Sequence, residues 1–210
     1  LNLLEACRTH GIKRLLYASS AAVYGDAVAV PVSEEAALNP LSPYAVDKLS
    51  GEYYLRYYFN KFGLPATAFR FFNIYGPRQD PSSPYSGVIS IFVDCLQRNQ
   101  PVTVFGDGSQ TRDFVYVADL TDLLARAVRG TDGVGGVFNV GTGTSHSLLQ
   151  LLSHLEKLSG KKIGRQHEPA RLGDIQHSCA DMSRLKNIFR NAPAIPFDQG
   201  LKKLLESMRG

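Results

Sequence analysis

A strand–helix–strand order near the amino end of the chain constrains the fold more than any other feature of the sequence. Ile12–Ser19 (IKRLLYAS) is an apolar run that predicts a buried parallel strand. Residues 43–62 are predicted to form a long helix, and Ala66–Phe72 (ATAFRFF) a second strand. A helix between two strands predicts a right-handed crossover between parallel neighbours. Because a helix at 119–129 and a strand at 137–140 continue the alternation, we predict a doubly wound α/β sheet.

The composition of the 210 residues excludes several functional classes. With 44% hydrophobic and 20% charged residues, the chain is typical of a globular domain, and no apolar run approaches the ~18 residues that span a bilayer. The net charge is +4, but lysine and arginine are scattered apart from short pairs, so we expect neither a nucleic-acid nor a membrane partner. The histidines form no ligand-like cluster, so we expect no metal site. Three widely spaced cysteines, Cys7, Cys95 and Cys179, suit a reducing cytoplasm.

A tyrosine and a lysine lie four residues apart near the start of the predicted helix, at Tyr44 and Lys48. Side chains with this spacing lie one turn apart on the same helix face. A phenol has a reference pKa of about 10, but a nearby ammonium favours the phenolate and lowers that pKa. We therefore expect Tyr44 to be able to remove a proton from a sugar hydroxyl. The Y-x-x-x-K spacing alone also occurs by chance in many helices, so it needs support from other residues.

Two serines supply that support. Ser19 and Ser20 lie at the carboxyl end of the first predicted strand, where open α/β sheets bind ligands. We expect Ser20 to lie opposite Tyr44 and to hydrogen-bond the same reacting hydroxyl. A serine pair after a strand is otherwise a simple turn, but its combination with Y-x-x-x-K across a crossover favours an active site.

Five short motifs occur in a specific order along nearly the whole chain: S-S-x-x-V-Y-G, Y-x-x-x-K, F-R-x-x-N-x-Y-G-P-R, F-G-D-G-x-x-x-R-D-F and R-x-G-D. With this series the chain resembles UDP-sugar 4-epimerases of the extended short-chain dehydrogenase/reductase family. The resemblance implies the carboxyl-terminal part of a Rossmann-like doubly wound parallel sheet and a smaller substrate-binding α/β region. It also implies a cytoplasmic enzyme with NAD as cofactor and a UDP-sugar as substrate.

The resemblance implies a role for each residue of the Ser-Tyr-Lys set. Tyr44 acts as base and acid on the C4 hydroxyl, and Lys48 holds the nicotinamide ribose. Ser20 orients the sugar hydroxyl, and Ser19 lies near the nicotinamide. The 4-keto sugar then turns over in the pocket and is reduced on its other face, which regenerates NAD. The family also implies a homodimer formed through a helix pair that includes residues 43–62.

The resemblance places eight further residues in contact with the UDP-sugar: Asn73, Gly87, Val88, Phe105, Arg112, Arg171, Asp174 and Ser178. Arg112 and Arg171 match two guanidiniums that clamp the pyrophosphate, whose oxygens suit the planar fork of arginine. Asp174 matches a ribose contact and Asn73 a diphosphate-sugar contact. Gly87 and Val88 lie where backbone groups bind the uracil, and Phe105 where a ring packs on it. Surface ion pairing is the alternative for the two arginines, and core packing for Phe105.

Ser178 bears on which sugar is accepted. In related epimerases a bulky residue at the matching place narrows the sugar pocket, and a small residue admits an N-acetyl group. We therefore expect the site to tolerate UDP-N-acetylhexosamines as well as UDP-hexoses.

The resemblance also divides the chain into two regions. Residues 1–73, together with 113–144, are assigned to a partial NAD-binding Rossmann domain. Residues 74–112 and 145–210 are assigned to a nucleotide-sugar-binding region.

The glycine-rich fingerprint of NAD-binding folds is not recognisable in these 210 residues. Gly141–His146 begins like G-x-G-x-x-G but lacks the third glycine and a later acidic residue, so we interpret it as a strand-to-helix loop. Leu1–Cys7 resembles the middle of a helix without a cap before it. We therefore expect the fingerprint to lie upstream, and these 210 residues alone to bind NAD poorly.

Two alternatives to an epimerase remain. A 4,6-dehydratase or a decarboxylase would share the fold, but such enzymes usually carry an acidic residue where this chain has Ala21-Ala22, and alanine cannot act as a base. A non-catalytic fragment is the second alternative, because an intact Ser-Tyr-Lys set does not by itself establish activity.

Overall fold

The computed structural model describes residues 1–27, 29–83, 86–170, 173–189, 193 and 195–208. Its helices are α1 Asn2–Thr9, α2 Pro43–Phe62, α3 Val88–Gln97, α4 Val117–Arg129, α5 Leu148–Ser159, α6 Ser183–Ile188 and α7 Phe197–Ser207. Its strands are β1 Leu15–Ser20, β2 Ala66–Phe71, β3 Asn73–Tyr75, β4 Val102–Phe105, β5 Thr111–Tyr116, β6 Val137–Val140, β7 Ser145–Ser147 and β8 Arg165–Glu168. A 3₁₀ helix, Ala21–Tyr24, follows β1 directly.

The predicted parallel crossover is confirmed. Strands β1, β2 and β6 form a parallel sheet in that order, and α2 connects the first two. Ser20 pairs with Phe71 at the carboxyl ends of these strands. Two smaller sheets accompany the first: β3 is parallel to β5, which pairs antiparallel with β7, and β4 is parallel to β8. The fold is therefore α/β with parallel sheets, as predicted.

The bounds of α2 follow from signals at its two ends. The Ser42 side chain caps the first turn by accepting from the Ala45 N–H at 3.2 Å, and Pro43 occupies the first turn, where its missing N–H costs nothing. Gly63 ends the helix with φ 68°, a left-handed conformation that glycine adopts readily. The helix begins and ends where the sequence predicted, which places Tyr44 in its first turn and Lys48 one turn later.

Two large clusters of buried apolar residues support the fold. The first lies against the β1–β2–β6 sheet and includes Phe69, Leu123 and Phe138. The second is built by α3, β4, β5, α5 and α7 around residues such as Phe92 and Leu151. Burial of a large apolar side chain contributes about 1.5–3 kcal/mol, so both clusters are substantial. The division of the chain into two domains stays a prediction.

The structure departs from the predictions mainly in the second half of the chain. The short strand β3 and the polar strand β8 were not predicted. The cap of α5 is Ser147, which forms a capping box with Gln150. None of the helices in the described part of the chain combines the length and apolarity that crossing a bilayer requires.

Candidate active site

The residues of the Ser-Tyr-Lys set lie where β1 ends and α2 begins. The Lys48 ammonium donates to the main-chain oxygen of Ala18 at 2.8 Å, which fixes the lysine against the end of β1. It also lies 5.5 Å from the centre of the Tyr44 ring. The structure therefore places Tyr44 and Lys48 side by side, as their spacing predicts, and 43% of the Tyr44 surface is open to solvent.

Tyr17 is a neighbour of Lys48 that the sequence did not single out. Its ring centre lies 5.6 Å from the Lys48 ammonium, and its hydroxyl donates to the Lys48 main-chain oxygen at 3.3 Å. Burial raises the pKa of Tyr17, and the charge of Glu52 adds to this effect. A Cβ on Gly51 would lie only 2.1 Å from the Tyr17 hydroxyl, so the glycine allows this close approach despite its cost within a helix. A glycine in the middle of the predicted helix was the feature of the sequence that could have indicated this contact.

Ser20 lies at the junction between β1 and the 3₁₀ helix. Its hydroxyl oxygen accepts from the Ala22 N–H at 3.2 Å and caps that helix. The side chain is partly exposed at the carboxyl end of the strand, on the same edge as the Lys48–Ala18 contact. The hydroxyl keeps its own proton for a further acceptor.

Ser19 faces the opposite side of the sheet from Ser20, because successive side chains of a strand alternate between its two faces. It is 2% exposed, and its hydroxyl donates to Glu52 at 2.5 Å. Glu52 lies on α2 one turn beyond Lys48, so the serine ties β1 to the helix that carries Tyr44 and Lys48. This gives Ser19 a protein partner, and its contact with a nicotinamide stays a prediction.

Glu52 belongs to a buried polar network that the sequence analysis missed. Arg70 on β2 donates to both carboxylate oxygens, at 2.9 and 2.7 Å, and to the Tyr24 hydroxyl at 2.8 Å. Tyr24 donates to Asn139 on β6 at 2.6 Å. Burial alone would lower the pKa of Arg70, but the hydrogen bonds and charge of Glu52 outweigh it and raise that pKa. The network joins three strands, the 3₁₀ helix and α2 behind the Tyr44–Lys48 pair.

A cleft of about 490 Å³ lies beside α3, β4 and β5, and its size is typical of small-molecule sites. Six of the eight residues predicted to contact the substrate line it: Asn73, Gly87, Val88, Phe105, Arg112 and Asp174. They come from five separate stretches of the chain, so the fold, and not sequence proximity, brings them together.

Arg112 and Asp174 contact each other in this cleft. The guanidinium donates to the Asp174 carboxylate at 2.7 Å and to the Thr111 main-chain oxygen at 2.9 Å. Burial lowers the pKa of Arg112, while the Asp174 charge opposes that effect. The motifs that contain these two residues predict contacts with different parts of a ligand and give no indication of an ion pair between them.

Gln110 and Cys95 also line the cleft, although the sequence did not single them out. Gln110 is 6% exposed, and its amide donates to the Phe105 main-chain oxygen at 2.8 Å, which holds the segment that carries the Phe105 ring. Cys95 lines the cleft from α3. In the sequence, the position of Gln110 between Gly108 and Arg112 only weakly indicated a role in the cleft. Cys95, on an apolar helix, gave no such indication.

The two remaining predicted substrate contacts are Ser178 and Arg171. The Ser178 N–H donates to the Thr111 main-chain oxygen at 3.1 Å, so Ser178 lies beside the residue that precedes Arg112. Arg171 lies outside the described residues. In the described part of the chain, no group of three or more His, Cys, Asp or Glu side chains is arranged to hold a metal ion.

Comparison with known proteins gives the family. Residues 1–141 match the NAD dependent epimerase/dehydratase family, which is more than half of the chain. The chain belongs to this family. It is 38% identical to the UDP-glucose 4-epimerase of Mycolicibacterium smegmatis over 210 residues, which are all of this chain and 66% of that relative.

Solved structures of the family have the same fold. The UDP-N-acetylglucosamine 4-epimerase of Methanobrevibacter ruminantium, in complex with UDP-N-acetylmuramic acid, matches with a TM-score of 0.93 and 34% identity over 99% of this chain and 66% of that one. The UDP-glucuronic acid 4-epimerase of Bacillus cereus, in complex with UDP-glucuronic acid and NAD, matches with a TM-score of 0.90 and 33% identity over 99% of this chain and 65% of that one. The chain thus spans just under two thirds of these relatives and has the Rossmann-like fold of the family.

Proposed function

We propose that the protein is an NAD-dependent nucleotide-sugar 4-epimerase, which inverts C4 of a UDP-hexose through a transient 4-keto sugar. The observation that carries the proposal is the placement of the Tyr44–Lys48 pair at the end of the strand that carries Ser20. The cleft lined by six predicted substrate contacts supports it. The three relatives named above are 4-epimerases of UDP-sugars.

In this proposal each residue of the Ser-Tyr-Lys set has a distinct task. Tyr44 takes the proton of the C4 hydroxyl and returns it to the same oxygen once the 4-keto sugar has turned over and C4 has been reduced on its opposite face. The Lys48 ammonium lies beside Tyr44, 5.5 Å from the centre of its ring. The Ser20 hydroxyl donates a hydrogen bond to the sugar oxygen, which holds that oxygen in position during the proton transfer.

The residues at the end of β1 fit the nicotinamide end of NAD. Lys48 carries three donor protons, of which the Ala18 contact uses one, so two remain for ribose hydroxyls. Tyr44 and Lys48 would hold that end, and the bound cofactor would supply the reversible oxidation at C4. The glycine fingerprint that binds the pyrophosphate of NAD does not occur in these 210 residues.

A 4,6-dehydratase is the less favoured reaction. It needs a second base to remove a proton from the sugar, and the residues between Ser20 and Val23 are Ala21 and Ala22, at the start of the 3₁₀ helix. Alanine has no group that can accept a proton.

Ser178 supports a further proposal, that UDP-N-acetylhexosamines are also substrates. Its main-chain N–H donates to Thr111, the first residue of β5, which precedes Arg112 of the cleft. If the enzyme converted UDP-galactose but not UDP-N-acetylgalactosamine, this extension would be wrong.

We also propose that α2 contributes to a homodimer. Its outer face exposes the aromatic side chains Tyr53, Tyr54, Tyr57 and Phe62. Exposed apolar patches of this kind mark interaction surfaces. We place the reaction in the cytoplasm, where the three free cysteines would stay reduced.

The test is a product assay on the protein as its gene encodes it, supplied with NAD and UDP-galactose. We expect UDP-glucose as product and a loss of kcat of about 10²–10⁴-fold in Tyr44→Phe. Tyr53→Phe, on the exposed face of the same helix, is the matched control and should retain activity. A released 4-keto-6-deoxy sugar would refute an epimerase.

A further inference from the structure

The glycine-rich loop between β6 and β7 binds a carboxylate of the protein itself. The main-chain N–H groups of Thr142 and Gly143 donate to opposite carboxylate oxygens of Asp113, at 2.8 and 3.0 Å. The Thr142 hydroxyl adds a bond of 2.7 Å. Successive main-chain N–H groups that converge in this way form a nest, an arrangement that binds phosphates and other anions. The loop begins like a dinucleotide fingerprint, yet the anion that it holds is an aspartate side chain.

Two glycines of the loop make this close approach possible. A Cβ at Gly141 would lie 2.6 Å from an Asp113 carboxylate oxygen and 2.4 Å from the Ala180 Cβ. Gly143 has φ 78°, a left-handed conformation that glycine adopts without strain. The loop is therefore shaped around the carboxylate, and Asp113 is 0% exposed.

The same carboxylate holds a third segment of the chain. The Ala180 N–H donates at 3.1 Å to the oxygen that the loop also contacts. Ala180 ends the stretch that begins at Asp174, a residue of the cleft, and main-chain bonds to Thr111 attach the middle of that stretch to β5. Ala180 also pairs with Val32, which lies between the 3₁₀ helix and α2. Asp113 therefore joins the cleft strand β5 to two segments that are distant in sequence.

Loss of this carboxylate would act on the cleft and the Ser-Tyr-Lys set differently. Without Asp113 the buried Ala180 N–H loses its acceptor, so the 174–180 stretch and the glycine loop are less firmly held against β5. Lys48 is fixed independently by its bond to the Ala18 main-chain oxygen. Substrate binding should therefore suffer more than the chemical step.

We propose that Asp113 is a positioning residue for the cleft: by filling the nest, it fixes the glycine loop and the 174–180 stretch against the strand that carries Arg112. The proposal rests on the proposed function, since the cleft is that of the nucleotide sugar. It goes beyond it by giving a task to the glycine-rich loop and to a fully buried residue, which acts through its neighbours.

The first test compares the kinetics of Asp113→Ala and Asp113→Asn with those of the wild type, in the protein as its gene encodes it, with NAD and UDP-galactose. We expect KM to rise about tenfold in both variants because the cleft is less well held. The value of kcat should change by less than about threefold. Asp122→Ala, on the surface of α4, is the matched control for charge and should leave both constants unchanged.

The second test uses formate as a probe for the nest. Formate is a carboxylate small enough for the space that Asp113→Ala leaves. We expect it to lower the KM of that variant by about threefold or more and to raise its unfolding temperature, whereas chloride at the same concentration does neither. Asp113→Asn keeps the space filled and turns an amide donor toward N–H donors, so formate should not restore it.

Three outcomes would overturn the inference. A fall in kcat at unchanged KM, or a lower unfolding temperature with unchanged kinetics, would make Asp113 a structural residue only. An equal effect of formate and chloride on Asp113→Ala would refute the nest. Should Asp113→Ala not fold, the KM of the isosteric Asp113→Asn decides. A wild type that converts no UDP-sugar would count against the proposed function instead, and the effect of formate on unfolding would still show whether Asp113 fills the nest.

Discussion

Two arginine–carboxylate pairs, one behind the β1 edge and one in the cleft, have the same closest contact but different surroundings. Arg70–Glu52 and Arg112–Asp174 each include a nitrogen–oxygen distance of 2.7 Å. The first pair is bidentate and only 5% and 4% exposed, and the Ser19 hydroxyl also donates to the carboxylate. The second pair has one contact and borders an open cleft.

The difference indicates that the Arg70–Glu52 pair stabilises the fold, whereas Arg112 in the second pair is placed to bind a ligand. A buried ion pair is tolerated when further hydrogen bonds satisfy both ions, and the network around Arg70 supplies these from protein groups. It fixes the rotation of α2 against β1, and with it the positions of Tyr44 and Lys48. Arg112 keeps donor capacity that faces the cleft and is available to a ligand.

The largest predicted effect comes from breaking the buried pair. Arg70→Met leaves the Glu52 charge without its partner in the protein interior and should cost about 3–5 kcal/mol of unfolding free energy. Arg112→Met leaves Asp174 more exposed to water, so its cost should be about 1 kcal/mol. Urea denaturation of the two variants gives both values.

A double replacement sharpens this test. Glu52→Leu with Arg70→Met removes both buried charges and should recover most of the loss of the single variant. If Arg70→Met and Arg112→Met cost the same, the contrast between the two pairs would be wrong.

A smaller effect concerns access to the cleft. Cys95 lines it, whereas Cys7 and Cys179 are buried. Burial raises the pKa of the Cys95 thiol, so labelling by iodoacetamide should be slow at neutral pH and faster at mildly alkaline pH. We expect Cys95 to be labelled first, and saturating UDP to slow its labelling by about tenfold or more.

Peptide mass spectrometry measures this labelling, and the two buried cysteines are the internal control. Uridine, which has no phosphates to engage Arg112, should protect less than UDP. Protection of all three cysteines to the same degree would mean that UDP acts on the whole fold and does not occupy the cleft.

The sequence was sufficient where the determinants are local. The bounds of α2 followed from Ser42, Pro43 and Gly63, which act within one turn of the helix ends. The adjacency of Tyr44 and Lys48 followed from helix periodicity alone. The parallel crossover followed from the order of the elements.

The sequence was insufficient where distant segments meet. Glu52 and Arg70 are 18 positions apart on different elements, and a glutamate in a helix is usually solvated. Arg112 and Asp174 are 62 positions apart, and motif matching assigned each one a ligand contact without relating them to each other. All four residues of β8 are exposed, and it pairs only with β4 in the described structure, so its polar sequence carries no burial pattern to detect.

The smallest predicted effect is the pH dependence of stability near neutral pH, which we assign to His146, a residue outside both ion pairs. His146 stacks on Phe197 with ring centres 4.2 Å apart, and His154 packs edge-on to both rings. Burial lowers the pKa of His146, the neighbouring His154 adds to this effect, and Asp113 opposes it. The folded state therefore favours the neutral imidazole, while the unfolded chain binds its proton more readily.

The sign of the pH dependence follows from this shift. The stability contribution of His146 is complete above the unfolded pKa of about 6.5 and is lost as pH falls below that value, by at most about 1 kcal/mol. Urea midpoints between pH 7.5 and 5.5 should fall for the wild type. They should fall less for His146→Phe, which keeps an aromatic ring against Phe197 but cannot titrate. An equal decline in both proteins would show that a group other than His146 causes the pH dependence.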